Sequence, residues 1–185
     1  MLTPISKTYK GLITISGPTK SGKSKLAEFL IKEQESIIYI ATSKQRDNDP
    51  EWQKKIKIHR NRRPSNWDLI EYPQDICKEI DSKSENHSIL IDSLGGIVQQ
   101  HIMSKEVQWE LFKSKFVKSL IKNNICIIVV TEETGWGIVP ATKIGHLFRE
   151  RLASLSSLIT SHSSQKWLAV NGTAINLDKI GCLIP

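Results

Sequence analysis

The string Gly17-Pro18-Thr19-Lys20-Ser21-Gly22-Lys23-Ser24 carries glycine, lysine and serine at the spacing G-x-x-x-x-G-K-[ST]. That spacing builds a cradle for a nucleoside triphosphate such as GTP or ATP. Gly17 permits a sharp exit from the preceding segment, and Gly22 lets the backbone come close to the phosphates. Successive N–H groups and the positive end of a following helix hold the anionic oxygens. Lys23 is spaced to reach the β- and γ-phosphates, and the Ser24 hydroxyl to ligate Mg2+. Pro18 lacks an N–H, but at the loop's start, before the amides that hold phosphate. Asp92 closes the apolar run Ser88–Asp92. An acidic group at such a position holds Mg2+ directly or through water; a helix cap or a loop aspartate would look the same in sequence.

One histidine, His59, stands among Lys54, Lys55, Lys57, Arg60, Arg62 and Arg63, with Pro64 closing the run. Two readings fit. A dense cationic run is ordinarily a solvated face. Alternatively the imidazole is a nucleophile that attacks phosphorus and forms a phosphoramidate. The flanking arginines would then neutralise the triphosphate and the departing pyrophosphate, and would favour the neutral imidazole. The other histidines, His87, His101, His146 and His162, show no spacing suited to a transition metal.

These groups need elements to position them. Gly11–Ser16, Ser36–Ala41, Ser88–Asp92 and Asn124–Val130 read as buried strands, and Trp67–Glu71 as a short one. Helices are expected over Ser24–Glu33, Glu51–His59, Asp75–Ile80, Ser104–Lys122 and Ala141–Ser161. Asn171-Gly172 splits Lys166–Val170 from Thr173–Leu177 and predicts a terminal hairpin. Apolar strands alternating with helices predict an α/β fold, a doubly wound and mostly parallel sheet with helices on both faces. Its active groups should gather beyond the C-terminal strand ends.

Length and composition narrow the classes. The 185 residues suit a single domain, 1–185, and 39% hydrophobic with 24% charged residues permits a buried core. The longest apolar run, Ile125–Val130, is six residues, where a membrane span needs roughly 20. Met1–Lys10 has no apolar stretch leading to a cleavage site, so secretion is not indicated. Three scattered cysteines, Cys77, Cys126 and Cys182, fit free thiols of the cytoplasm better than a disulfide scaffold. Net charge is +7, and Lys44–Arg63 alone carries eight Lys/Arg against three Asp/Glu. Such a patch attracts phosphates of nucleotides or of nucleic acid. The aromatic fraction, 6%, is low for a base-stacking surface.

The phosphate loop, Tyr39-Ile-Ala41-Thr42-Ser43, Ile56–Pro64 with Trp67, Glu133-Thr-Gly135-Trp-Gly137-Ile-Val-Pro140 and Phe148-Arg149-Glu150 follow one another in that order. Together they resemble the bifunctional adenosylcobinamide kinase / adenosylcobinamide-phosphate guanylyltransferase family of cobalamin biosynthesis. The similarity runs from about Leu12 to Leu177. It implies phosphorylation of the aminopropanol hydroxyl of adenosylcobinamide by a nucleoside triphosphate, then transfer of GMP from GTP to that phosphate through a guanylylated histidine, here His59. It further implies catalysis by His59 and Lys23, and nucleotide contacts at Gly17–Ser24, Ala41, Thr42, Ser43, Arg60, Asn61, Arg62, Arg63, Glu71 and Asp92. Ser24 and Asp92 are the expected metal ligands, the fold is expected to be a RecA-like P-loop domain, and the assembly a homotrimer. The expected partners are GTP or ATP and adenosylcobinamide, with no nucleic acid.

The chain departs from the family pattern in three places. After Asp92 the family has a Thr and a Trp where this chain has Gly95 and Ile97. Ahead of G-x-G-I-V-P it has Asn-Glu, here Glu132-Glu133. The pattern G-x-x-N-Q becomes Ala153-Ser-Leu-Ser156-Ser157. A kinase with a narrower or different acceptor, and a nucleotide-binding or nucleic-acid-binding module without catalysis, are the alternatives that composition and these departures leave open.

Overall fold

Four short runs of isoleucine, leucine and valine form the middle of the sheet because both of their faces are covered. They are β1 (Gly11–Ser16), β2 (Ile37–Ala41), β4 (Ser88–Asp92) and β5 (Cys126–Val130). The computed structural model describes residues 9–45, 48–50, 53–54, 63–122, 124–137, 139–182 and 184. Within them β3 (Asp68–Glu71), β6 (Gln165–Val170) and β7 (Thr173–Asn176) extend the sheet to the order β3-β2-β4-β5-β1-β6-β7. Every pairing is parallel except β6 with β7. The expected parallel sheet with its C-terminal antiparallel strand is therefore what forms.

Side chains alternate between faces along each strand. Leu12, Ile38, Ile40, Ile89, Ile91, Ile127 and Val129 point to one face. There they meet α2 (Ile76–Asp81), α3 (Leu94–Gln100), α4 (Glu106–Lys122) and α5 (Lys143–Ser161). Ile13, Ile15, Ile37, Leu90 and Ile128 point to the other face and pack on α1 (Lys23–Ile31) through Leu26, Ala27, Leu30 and Ile31. Local chemistry sets the helix starts. Asp75 caps α2 by accepting from Lys78 N, and Thr142 caps α5 by accepting from Gly145 N.

Two helices were not expected from the residue pattern. α3 carries Gly95-Gly96 in its first turn, which lowers intrinsic helix propensity. α6 (Leu177–Ile180) is a single turn capped by Asn176. The helix expected over Glu51–His59 falls largely outside the described residues, as does His59 itself. Among the described residues no helix is long and apolar enough to cross a membrane.

Cys126 is buried in the sheet, and burial pushes its thiol up to about 12; Cys77 is buried and raised for the same reason, while Cys182 is exposed. A thiol reagent is expected to label one cysteine in the native protein and all three in denaturant, counted by mass spectrometry. Rapid labelling of Cys126 in the folded protein would contradict this packing.

Candidate active site

The parallel register brings the strand ends level. Ala41 lies beside Asp92 on one side and Glu71 on the other, and Asp92 pairs with Val130, which pairs with Ile15. The exits of β1, β2 and β4 thus face a common crevice, where such sheets bind ligands.

The phosphate loop leaves β1 at Gly17, where φ is +145° and a Cβ would run into the Ala169 carbonyl of β6. Gly22 adopts φ 104° immediately before α1, which turns the loop amides toward the crevice. The hairpin joining β6 and β7 supports the loop from outside. Asn171 and Gly172 both have positive φ, as a two-residue type I′ turn demands, and Gly172 N donates to Ser21 O at 3.0 Å. Glu133 N donates to Gly17 O at 3.0 Å from the β5 side.

Thr19, Lys20, Ser21, Gly22, Lys23 and Ser24 line a cavity of about 540 Å³, together with Asp92, Ser93 and Glu132. Lys23 is buried, and its Nζ donates to Pro18 O at 2.7 Å. Burial lowers its ammonium pKa, and the carboxylates of Glu132, Asp92 and Glu133 oppose that shift. Ser21 Oγ is buried and lacks a hydrogen-bond partner. A ligand oxygen entering the loop would satisfy it.

Asp92 is held from β2. Tyr39 Oη donates to Asp92 Oδ2 at 2.7 Å, and the phenol's pKa is raised by burial first and by the Asp92 charge second. Arg63 lies over the same ring, its guanidinium carbon 4.2 Å from the centroid. Thr42 is fully buried. Its Oγ1 donates to Ser93 O at 2.6 Å and accepts from Ser93 N at 2.9 Å, while its own N donates to Asp92 O at 3.2 Å. Two residues past β5, the Glu132 carboxylate accepts from Ser93 Oγ and from Gly95 N. Burial raises its pKa, only partly countered by these hydrogen bonds.

The structure therefore brings together the loop residues Thr19 to Ser24 and Asp92. Gly17 and Pro18 form the neck of the loop. Ala41 sits level with Asp92, and the Thr42 hydroxyl is engaged with Ser93 rather than turned to the cavity. Glu71, at the end of β3, is exposed and accepts from Gln45 Nε2 at 3.2 Å. Ser43 lies two residues past β2, beside α3. His59, Arg60, Asn61 and Arg62 lie outside the described residues, whereas Arg63, the next residue, reaches Tyr39.

Residues 13–177 match the family described as cobinamide kinase / cobinamide phosphate guanyltransferase. This chain belongs to that family. The bifunctional adenosylcobalamin biosynthesis protein CobU of Escherichia coli K12 is 25% identical to it over 181 residues, 90% of this chain and 99% of that protein. The corresponding CobP of Pseudomonas aeruginosa PAO1 is 28% identical over 166 residues, 88% and 95% of the two chains. By family this cobinamide kinase / guanyltransferase is a transferase of cobalamin biosynthesis with nucleotide and cobinamide substrates. Solved structures share its fold alone. A KaiC-like protein of Pyrococcus horikoshii OT3 aligns at TM-score 0.52 and 13% identity, over 85% of this chain and 70% of the other. An ATPase from a bacterial type III secretion system aligns at TM-score 0.56 and 9% identity, over 94% and 59%. The domain is a RecA-like P-loop fold.

Tyr39, Ser93 and Glu132 join the site of this transferase without a motif that marks them. Tyr39 sits in an apolar strand and was indistinguishable from a core residue by pattern. A tyrosine buried mid-strand must still find a partner for its hydroxyl, and that requirement is the signal that could have found it. Glu132 directly follows an apolar strand at the end where active groups gather. Two of the departures from the family pattern, Gly95 and Glu132, prove to be in contact with each other.

The donors suit a hard divalent ion. Ser24 offers a hydroxyl and Asp92 a carboxylate to one cavity. No cluster of three or more His, Cys, Asp or Glu side chains able to hold a metal occurs among the described residues. Mg2+ needs no such cage, because phosphate oxygens and water complete its shell.

Tyr39→Phe keeps the ring beneath Arg63 and deletes only the bond to Asp92. It is expected to reduce stability by about 2 kcal/mol and turnover by about tenfold, read by urea unfolding and steady-state kinetics. Unchanged turnover would remove Tyr39 from the site.

Proposed function

We propose that the chain phosphorylates the aminopropanol hydroxyl of adenosylcobinamide with a nucleoside triphosphate, then guanylylates that phosphate with GTP through a covalent GMP on His59. One observation carries the reading. Lys23, Ser24 and Asp92 converge on a single cavity, and Arg63, the last arginine of the run that contains His59, stacks on the tyrosine that holds Asp92.

The residues divide the work by charge. The loop amides and Lys23 bind the β- and γ-phosphate oxygens and balance the charge that develops as a P–O bond breaks. Ser24 and Asp92 would hold Mg2+, which neutralises phosphate charge when bound. In the first transfer the acceptor hydroxyl forms a bond to the γ-phosphorus, the β,γ-bridging P–O bond breaks, and the nucleoside diphosphate leaves. In the second, the His59 imidazole nitrogen bonds to the α-phosphorus of GTP and pyrophosphate departs. An oxygen of cobinamide phosphate then takes the GMP and frees the histidine. Arg60, Arg62 and Arg63 are assigned to the triphosphate and the leaving pyrophosphate. One site serves both transfers because what changes is which nucleophile stands in line with which phosphorus.

A kinase with a narrower or different acceptor is the second reading. Its support is that Ser156 and Ser157, where the family pattern has Asn-Gln, line a separate cleft of about 700 Å³ that also touches Glu132 and Glu133. The same family resemblance supports a homotrimer acting in the cytoplasm, for which the molar mass in solution is the check.

The deciding experiment incubates the protein with α-labelled GTP and Mg2+. Acid-labile, base-stable label is expected on the wild type and absent from His59→Ala. Mass spectrometry with adenosylcobinamide present should show the phosphorylated and the guanylylated acceptor. Phosphorylated acceptor without any protein-bound GMP would select the second reading.

A further inference from the structure

One partly buried carboxylate beside the nucleotide cavity has no part in those transfers. Glu132 emerges from β5, the strand between β4, which ends in Asp92, and β1, which leads into the phosphate loop. Its two oxygens are committed to the β4 side. One accepts from Ser93 Oγ, and the other accepts from Gly95 N at 3.0 Å. Gly95 is the second residue of α3, and the N-cap residue of that helix, Ser93, makes no side-chain cap bond of its own. A carboxylate from a neighbouring strand supplies the acceptor that this helix start lacks.

The fit is close. A Cβ on Gly95 would lie 2.9 Å from both carboxylate oxygens. A side chain at position 95 and a carboxylate at position 132 thus compete for one space. Ser93 follows Asp92 directly, so whatever holds Ser93 also sets the direction of Asp92. Tyr39 and Thr42 grip this exit from β2. Glu132 grips it from β5.

We propose that Glu132 is a positioning residue: through Ser93 and Gly95 it fixes the β4 exit and thereby holds the Asp92 carboxylate at the nucleotide cavity that Lys23 lines. Gly95 is the glycine that makes room for it. This rests on the assignment of Asp92 to the nucleotide site.

The test uses the full chain and measures nucleotide-dependent phosphorylation of adenosylcobinamide. A fluorescent-nucleotide titration gives affinity and counts folded sites, so turnover is expressed per site. Glu132→Ala is expected to lower kcat about tenfold or more, with nucleotide Kd within about threefold, because the loop amides are untouched and Lys23 keeps the carboxylates of Asp92 and Glu133. Glu132→Gln keeps an acceptor oxygen and should recover part of the loss. Gly95→Ala should also lower kcat, and in the double variant with Glu132→Ala the two losses should not multiply, because the clash disappears with the carboxylate. Turnover of Glu132→Ala within about twofold of wild type, or losses that multiply in the double variant, would overturn the proposal. If Gly95→Ala yields no folded protein, the Ala and Gln variants at 132 decide alone. Asp92→Asn separates the two assignments. If it is inactive while Glu132→Ala is normal, the positioning role falls and the site stands. If Asp92→Asn is fully active, both fall.

Discussion

Lys23→Ala is expected to lower both the phosphoryl and the guanylyl transfer by about 10²–10³-fold, the usual consequence of removing one preorganised donor to developing charge. Lys23 is 8% exposed, so its charge acts in a largely water-excluded setting. Burial works against the ammonium, while Glu132, Asp92 and Glu133 work for it. Lys23 Nζ donates to the Pro18 carbonyl at 2.7 Å. A bound phosphate offers a charged acceptor in place of a neutral one, so the contact shifts from the loop to the substrate. Lys23→Arg should not rescue the loss, because a planar guanidinium cannot occupy the space of a compact ammonium. Steady-state kinetics with far-UV circular dichroism as the folding control provide the measurement. A loss below about tenfold would mean that the loop amides carry the transition-state charge without the lysine.

Gly96→Ala is expected to damage the fold far out of proportion to the one methyl group it adds. A Cβ there would collide with Thr42 Oγ1 and lie 2.7 Å from Thr42 C and 2.8 Å from Ser43 N. Two of these three are backbone atoms, and Thr42 cannot yield, since it is clasped to Ser93 and Asp92 and accepts at its carbonyl from Gln100 Nε2 at 3.2 Å. Alanine gains about 1 kcal/mol of helix propensity over glycine, but overpacking against fixed backbone costs about 3 kcal/mol. The net loss of about 2 kcal/mol should lower Tm by roughly 4–8 °C. Turnover should fall as well, because the crowded atoms hold the β4 exit. Gly137→Ala is the control for stability. Nothing lies within 4 Å of a Cβ at that position, so Tm should stay within about 2 °C. Equal melting temperatures for the two variants would refute the tight packing of α3 on Thr42.

Most of the frame is legible in the amino-acid order. The runs ILI-type in Ser88–Asp92 and Cys126–Val130 had to be strands buried on both faces, since no polar residue interrupts them to face water. Asn171-Gly172 had to be a turn, because both residues tolerate positive φ. The G-x-x-x-x-G-K-S spacing between an apolar strand and a helix had to form a tight turn at its two glycines, both of which take positive φ. Each of these depends on neighbours in the chain, which is why a linear pattern suffices.

α3 was not legible for the opposite reason. Gly95-Gly96 argues against a helix when read locally, and only the approach of Thr42 and Glu132 makes two small residues there a requirement. The pairing of Tyr39 with Asp92 spans 53 positions, and that of Ser93 with Glu132 spans 39. No periodicity encodes such pairs, because they are set by which strands lie side by side. The amino-acid order by itself determined a phosphate-loop spacing at Gly17–Ser24 between a strand and a helix, with an acidic residue closing a second strand. Only the tertiary structure decided how that acidic end is held, since a carboxylate's direction is fixed by hydrogen bonds from strands that meet when the sheet closes around it.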